Sequence, residues 1–327
     1  MDRVREPFPS RPGLKVMRTL VPAAALLLAL LSAACGSGEP GAVGGSTGAD
    51  VDAPPPTVPA PDPAQLYEAD GTVLEDSSHG PELCLGGVAL SLPPQCGGVP
   101  LANWDWDAVD GAQRGSGTTW GEFHVVGTYA DGVLTVTDVG PLRPGDLGAG
   151  SGTARSFTTS CPEPAGGWPA AVPSVSMEED FGAGSAVAQA RPDHVALWVD
   201  YAGGLTGEEV DQAMVDGTPI AKIMNVVVTG DVAETEAAIR KVWRGPLCVV
   251  QHEGPTQKEL QAIRAEAETF MQEELGLEVT WSQEGDVGLA AEVGVVIDVG
   301  GAGQAALDER YGPGTVKLFP GLRPVAD

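Results

Sequence analysis

The chain has 327 residues, 45 acidic against 18 basic side chains, a net charge of -27, 43% hydrophobic residues and only 5% aromatic ones. That is length for one large or two small domains and apolar content for a buried core, while 45 Gly and 28 Pro mark local stretches that cannot pack. Nucleic acid is excluded as a partner: phosphate contacts need clustered Lys and Arg, and the densest run here is Arg240-Lys241 with Arg244 close by.

Residues 1–34 read as an export signal. Arg18 supplies positive charge, residues 21–31 form an apolar run interrupted only by Pro22, and Ser32, Ala33 and Ala34 follow. The run is too short to span a bilayer stably, so a cleaved signal is expected rather than a permanent helix. Met17 is an alternative start, since the sixteen residues before it are polar and contain prolines.

The string Leu31-Ser32-Ala33-Ala34-Cys35 resembles the lipobox of bacterial lipoproteins, with Ser32 where Leu is commonest and Leu31 one place early. The resemblance covers the leader alone. It implies that the signal is cut before Cys35 and that membrane lipid becomes a partner through the acylated, palmitate-type anchor on that cysteine. The competing reading is an ordinary secretory signal with an incidental Cys. Of residues 36–63, thirteen of 28 are Gly or Pro, which predicts a semi-flexible, partly polyproline tether, so residues 35–63 are read as anchor plus spacer. The leader holds five basic and two acidic residues, so the mature chain carries -30 and an anionic membrane surface would repel it.

Beyond Cys35 the chain holds Cys84, Cys96, Cys161 and Cys248, an even number in a compartment where disulfides persist. Of three possible connectivities the favoured one is Cys84 with Cys96, a short closable loop, and Cys161 with Cys248. No Cys-x-x-Cys is present and the four histidines are scattered, so no metal site is expected. No cofactor is expected either.

Residues 64–145 read as an all-β, barrel-like domain, with an OB-like barrel as one candidate. Its clearest hairpin pairs 122–129 with 133–139 around Ala130-Asp131-Gly132. The strings Cys84-Leu-Gly-Gly-Val, Pro93-Pro-Gln-Cys96-Gly-Gly and Trp104-Asp-Trp106-Asp resemble a group of secreted proteins of unknown role from high-GC Gram-positive bacteria, a likeness that implies no activity. Residues 146–190, rich in Gly, Pro, Ala and Ser, are expected to be an irregular interdomain segment.

Residues 191–327 read as an α+β sandwich. Helices are predicted from Asp231, with Glu234 reciprocating, to Gly245-Pro246; from Thr256, with Glu259 in the same relation, to Gly276; and over 304–311. Strands are predicted near 194–201, 221–229, 247–251, 278–284, 291–299 and 315–319. The order from 221, β-α-β-α-β-β-α-β, is a split βαβ plan with an additional helix, and the chain as a whole is assigned to the α+β class.

Candidate chemistry is sparse. No Gly-x-Ser-x-Gly elbow exists beyond the Gly/Pro-rich tether, His252-Glu253 runs into Gly254-Pro255 and cannot form a zinc-protease helix, and Gly300-Gly301-Ala302-Gly303 lacks the Walker lysine and the dinucleotide spacing. Trp104 and Trp106 alternate with Asp105 and Asp107, so an extended strand would give the indoles one face and the carboxylates the other. Stacked indoles suit a sugar surface, and the acids could serve as glycosidase groups or calcium ligands; equally, the indoles could fill the barrel core with the acids in water. His124 falls within a predicted strand with no acid adjacent in sequence to polarise it. Glu178, Glu179 and Asp180 read as solvated acids.

The reading is a lipid-anchored protein on the extracytoplasmic face of the cell membrane, acting as a non-catalytic binding module for a cell-wall polymer, a small ligand or an envelope protein. Two alternatives stand beside it: an envelope hydrolase built on Asp105, Asp107 and His124, and a structural or assembly factor.

Overall fold

In chain order the strands of the N-terminal region are β1 (Leu66–Glu75), β2 (Glu82–Leu83), β3 (Val99–Ala102), β4 (Gln113–Gly115), β5 (Thr118–Ala130) and β6 (Val133–Pro141). This computed structural model describes residues 57–142 and 157–326. The leader, Cys35, residues up to 56 of the tether and the start of the 146–190 segment lie outside the described residues.

The strands close a ring. β1 pairs with β2, β2 with β3, β3 with β6, β6 with β5, and β5 with β1 again; β3–β6 is the one parallel pair of the five. The expected hairpin is present, turning through Asp131 (φ 51) and Gly132 (φ 78), the left-handed pair that a two-residue turn needs. At Gly127 the register slips, and a Cβ there would lie 2.3 Å from the Thr135 carbonyl, so the backbones approach as closely as only glycine allows.

Alternation along β1 and β5 sends Tyr67, Ala69, Val73, Phe123, Val125 and Tyr129 into the barrel core. Val296 and Leu322 join that core from the far end of the sequence, and the last strand, β13 (Arg323–Pro324), pairs with Tyr67 and Glu68 of β1. Residues 54–327 accordingly form one contact unit.

The rest of the chain is α-helices and two small sheets. The elements are α1 (Val175–Gln189), β7 (His194–Tyr201), α2 (Gly207–Asp216), β8 (Lys222–Val228), α3 (Val232–Ile239), β9 (Leu247–Gln251), α4 (Gln257–Glu273), β10 (Val279–Gly285), β11 (Ala290–Val295), α5 (Ala302–Tyr311) and β12 (Val316–Pro320). The class is α+β, and the β-α-β-α-β-β-α-β order from residue 221 is the one predicted. These strands divide between two three-stranded sheets, β7-β8-β9 and β10-β11-β12.

The two halves repeat one topological plan. In each half a helix (α1, α4) leads into an antiparallel pair (β7–β8, β10–β11), and a second helix (α3, α5) crosses to a parallel third strand (β9, β12). The only topological difference among these elements is α2, inserted between β7 and β8. Both central strands, β8 and β11, are buried along their whole length, which is why they are mostly apolar, broken only by Lys222 and Asn225 in β8 and Glu292 in β11.

Helix starts follow their caps, whereas α3 ends at Ile239, short of the Gly245-Pro246 stop expected for it. Thr256 and Glu259 form a reciprocal box, and the amide of Thr256 is the first cause holding the Glu259 carboxyl below its usual range. Asp231 accepts from the Glu234 amide at 2.7 Å. The Asp298 carboxylate accepts from the amides of Gly303 (2.7 Å) and Gln304 (3.2 Å), so the chain's own anion occupies the start of α5.

The irregular segment expected over 146–190 needs correction, because its last part is α1. Ser174 caps it by accepting from the Met177 amide, and Gly184 lies where a Cβ would come within 2.8 Å of Met224 and 2.9 Å of Trp243. Glycines lower intrinsic helicity but permit this close contact, so packing rather than propensity holds the helix.

Candidate functional site

Trp104 through Asp107 do not form an extended strand, so the face-by-face separation considered for them does not arise. Asn103 turns the chain through a left-handed φ of 62°, and Asp105 then builds a turn, accepting from the Asp107 amide with its side chain (2.9 Å) and from the Ala108 amide with its carbonyl (3.2 Å). Asp105 and Asp107 are exposed, while both indoles fold back half-buried onto Phe123. The rings meet edge-on, Trp104 to Trp106 at 5.2 Å and 78°, and Trp104 to Phe123 at 5.1 Å and 68°. Trp106 also donates its indole N–H to Glu75 at 2.6 Å. This is packing that closes one end of the barrel, without the parallel open faces of a sugar platform.

His124 is on the other side of the sheet, since it is the neighbour of Phe123 in β5. The structure therefore separates it from Asp105 and Asp107. It brings His124 instead to Asp70, its direct partner across the β1–β5 ladder, with Nδ1 3.1 Å from Oδ1. Glu68 Oε2 is 3.7 Å from His124 Nε2, and Arg323 Nη2 is 3.5 Å from Asp70 Oδ2. The side chain of Asp70 is wholly buried and that of His124 8% exposed. The group has an acid–imidazole arrangement, yet its burial describes a charge network that locks β13 onto β1 and β5. Sequence reading missed Glu68, Asp70 and Arg323; the only available signal was the alternation of polar residues along β1.

A cleft with different chemistry lies at the end of α3. Both disulfides pair as favoured, Cys84 with Cys96 and Cys161 with Cys248, at Cα separations of 5.9 and 5.7 Å. The second pins a proline-rich segment against the start of β9, and the Thr159 amide donates to Asp200 at 2.7 Å. Between this segment and the α3–β9 turn is a cavity of about 650 Å³, walled by Cys161, Pro162, Pro164, Trp168 and Pro169 on one side and Arg240, Arg244, Gly245, Pro246 and Leu247 on the other. An adjoining cavity of about 350 Å³ shares Pro169, Arg244, Gly245 and Pro246 and reaches Lys222 and Asp180.

The turn is rigid for identifiable reasons. Trp243 is buried, meets Phe181 edge-on at 5.4 Å and donates its indole N–H to the Pro246 carbonyl at 2.8 Å. A Cβ at Gly245 would fall 2.1 Å from that indole, so glycine is needed there. Arg240 reaches the Gly245 carbonyl at 2.5 Å and Glu236 at 3.4 Å, whereas exposed Arg244 makes no hydrogen bond or ion pair among the described residues. Lys222 is neutralised by Glu178 at 2.6 Å and sits 4.1 Å over the Phe181 ring. Apolar walls of proline and tryptophan with a free guanidinium at the rim suit a ligand that is anionic at one end and apolar or ring-shaped at the other.

Among the described residues, no group of three His, Cys, Asp or Glu side chains could hold a metal ion, and no helix is long and apolar enough to cross a membrane. No protein-family model, curated protein or solved structure matches the chain.

Proposed function

We propose that the chain is a lipid-anchored extracytoplasmic binding module, tethered through an acylated Cys35, which captures an anionic envelope component in the cleft beside Cys161–Cys248. One observation carries the reading: two arginines of the densest basic run in a chain with a net charge of -27, Arg240 and Arg244, line a proline- and tryptophan-walled cavity, and one of them, Arg244, is unengaged among the described residues. An arginine at a cavity rim with its donors free can make charge-assisted hydrogen bonds to an anion. The remaining acidic surface repels anions elsewhere, which directs an anionic ligand to this one place.

The test is binding of a soluble polyglycerol-phosphate chain, as a phosphate-bearing wall polymer, to the mature protein. Arg244→Ala should weaken affinity by about tenfold and reduce its salt dependence, the size expected for one charge-assisted contact, while thermal stability stays unchanged because Arg244 has no hydrogen-bond or ion-pair partner among the described residues to lose. Equal affinity of the variant and the parent would refute the cleft. The anchor is tested separately: Cys35→Ser should move the protein from the membrane fraction into the medium, and a wild-type product found in the medium with an unmodified amino end would refute it.

A further inference from the structure

The loop between β2 and β3 carries the most exposed large apolar side chains of the described residues. Leu90 is 108% exposed and Leu92 85%, in a molecule whose other leucines are mostly buried. They belong to a run, residues 83–104, without a single charged side chain. At the chain's average of 19% charged residues, 22 positions would carry about four. The loop is also pre-shaped. Cys84–Cys96 closes its base, the Ala89 amide donates to the Gln95 carbonyl at 2.8 Å, and the Ser91 hydroxyl donates to the Pro93 carbonyl at 2.8 Å. A fixed finger that displays two leucines to solvent has no folding rationale, and exposed apolar surface of this kind marks a contact site.

We infer that this finger is a membrane-touching element, which dips Leu90 and Leu92 into the interfacial zone of the bilayer to which the chain is anchored. The inference rests on the anchored reading above for the nearness of a bilayer. Three observations select lipid over a protein pocket. The tip is Leu-Ser-Leu-Pro-Pro, without the Trp, Tyr or Arg that dominate protein hot spots, where Leu is under-represented. Being uncharged, it is the part of a chain of net charge -27 that can meet an anionic surface without repulsion. The chain between Cys35 and Thr57 can span at most about 75 Å, so covalent reach permits the contact and a second attachment point would add to the first by effective concentration. One acyl-linked site with a shallow apolar wedge fixes the orientation of the body, which a single point of attachment leaves free.

The experiment uses the mature chain with Cys35→Ser, so that no acyl group contributes, and phosphatidylcholine vesicles. The protein should co-sediment weakly and independently of salt, and Leu90→Ser with Leu92→Ser should lower the partition coefficient by about tenfold. Both side chains are solvent-exposed, so the variant should melt with its parent. In the acylated protein, Leu92→Trp should add fluorescence that brominated acyl chains quench, measured against the same protein without that substitution. Equal partitioning of variant and parent, or no quenching of the added indole, overturns the inference. Leucine-dependent cross-linking to an envelope protein without vesicle binding overturns it in favour of a protein partner. Vesicle binding that depends on the leucines stands even where wild-type protein lacks an acylated Cys35, so failure of the anchor and failure of the finger are separately visible.

Discussion

Asp70 and His124 face each other across β1 and β5, 3.1 Å apart, and the second oxygen of Asp70 lies 3.5 Å from Arg323 in the last strand of the chain. A carboxylate with no exposed surface is tolerable only with such partners. Asp70→Ala would leave the imidazole and the guanidinium without their shared acceptor, and should lower stability by about 2–3 kcal/mol in urea unfolding. Arg323→Gln removes a partner that is 37% exposed, and should cost less than about 1 kcal/mol. Equal effects of the two changes would show that the network does not depend on the buried acid.

His194 gives the fold a pH dependence of known sign. It opens β7, is 5% exposed, and its Nδ1 is buried without a hydrogen-bond partner. Burial pushes its pKa down, opposed by the charge of Asp193, which is itself tied to Arg191 at 2.9 Å. The unfolded chain then takes up a proton on His194 more readily than the folded one, so this contribution is complete above about pH 6.5 and is lost as the pH falls below it. Asp193, held low chiefly by the hydrogen bond from Arg191, acts in a separate window beneath the ordinary carboxylate range. Thermal melts between about pH 7.5 and 5 should fall for the parent relative to His194→Gln. Relief of acidic self-repulsion shifts both proteins alike and cancels in the difference.

How far the sequence disclosed this molecule depends on the range of the interaction responsible. Thr256 with Glu259, and the Asp131-Gly132 turn, are decided within four residues, and both were legible. Thr206 with Glu209 is the same capping box at the head of α2 and was open to the same reading. The helix α1 was not, because Gly182, Gly184 and Ser185 erase its periodic signal and Met224 and Trp243 supply the reason for the glycine. The repeated plan was hidden too, since what the two halves share is strand order and direction, which only the pairing reveals. Site chemistry was least legible. His124 could be singled out, but its acid is set by strand register 54 positions away, and the wall facing Arg244 arrives through a bond between Cys161 and Cys248. Arg240, Lys241 and Arg244 were visible as a cluster from the start, but that Arg240 and Arg244 line a cavity was not.

The two disulfides should separate stability from binding. Cys161–Cys248 closes a separation of 87 residues and Cys84–Cys96 one of 12. On the chain-entropy account their removal costs about 4.5 and about 3 kcal/mol respectively. Cys161 is also a wall of the cavity that holds Arg244, so Cys161→Ser with Cys248→Ser should free that wall and weaken polyglycerol-phosphate binding even at temperatures well below the melting transition. Cys84→Ser with Cys96→Ser leaves the cleft walls intact; it should lower the melting temperature with no change in that affinity, and should instead loosen the loop that presents Leu90 and Leu92. Calorimetric melts and titrations on the two double variants read both effects. Loss of polymer affinity in the Cys84 pair, or its retention in the Cys161 pair, would contradict the assignment of the ligand to the cleft.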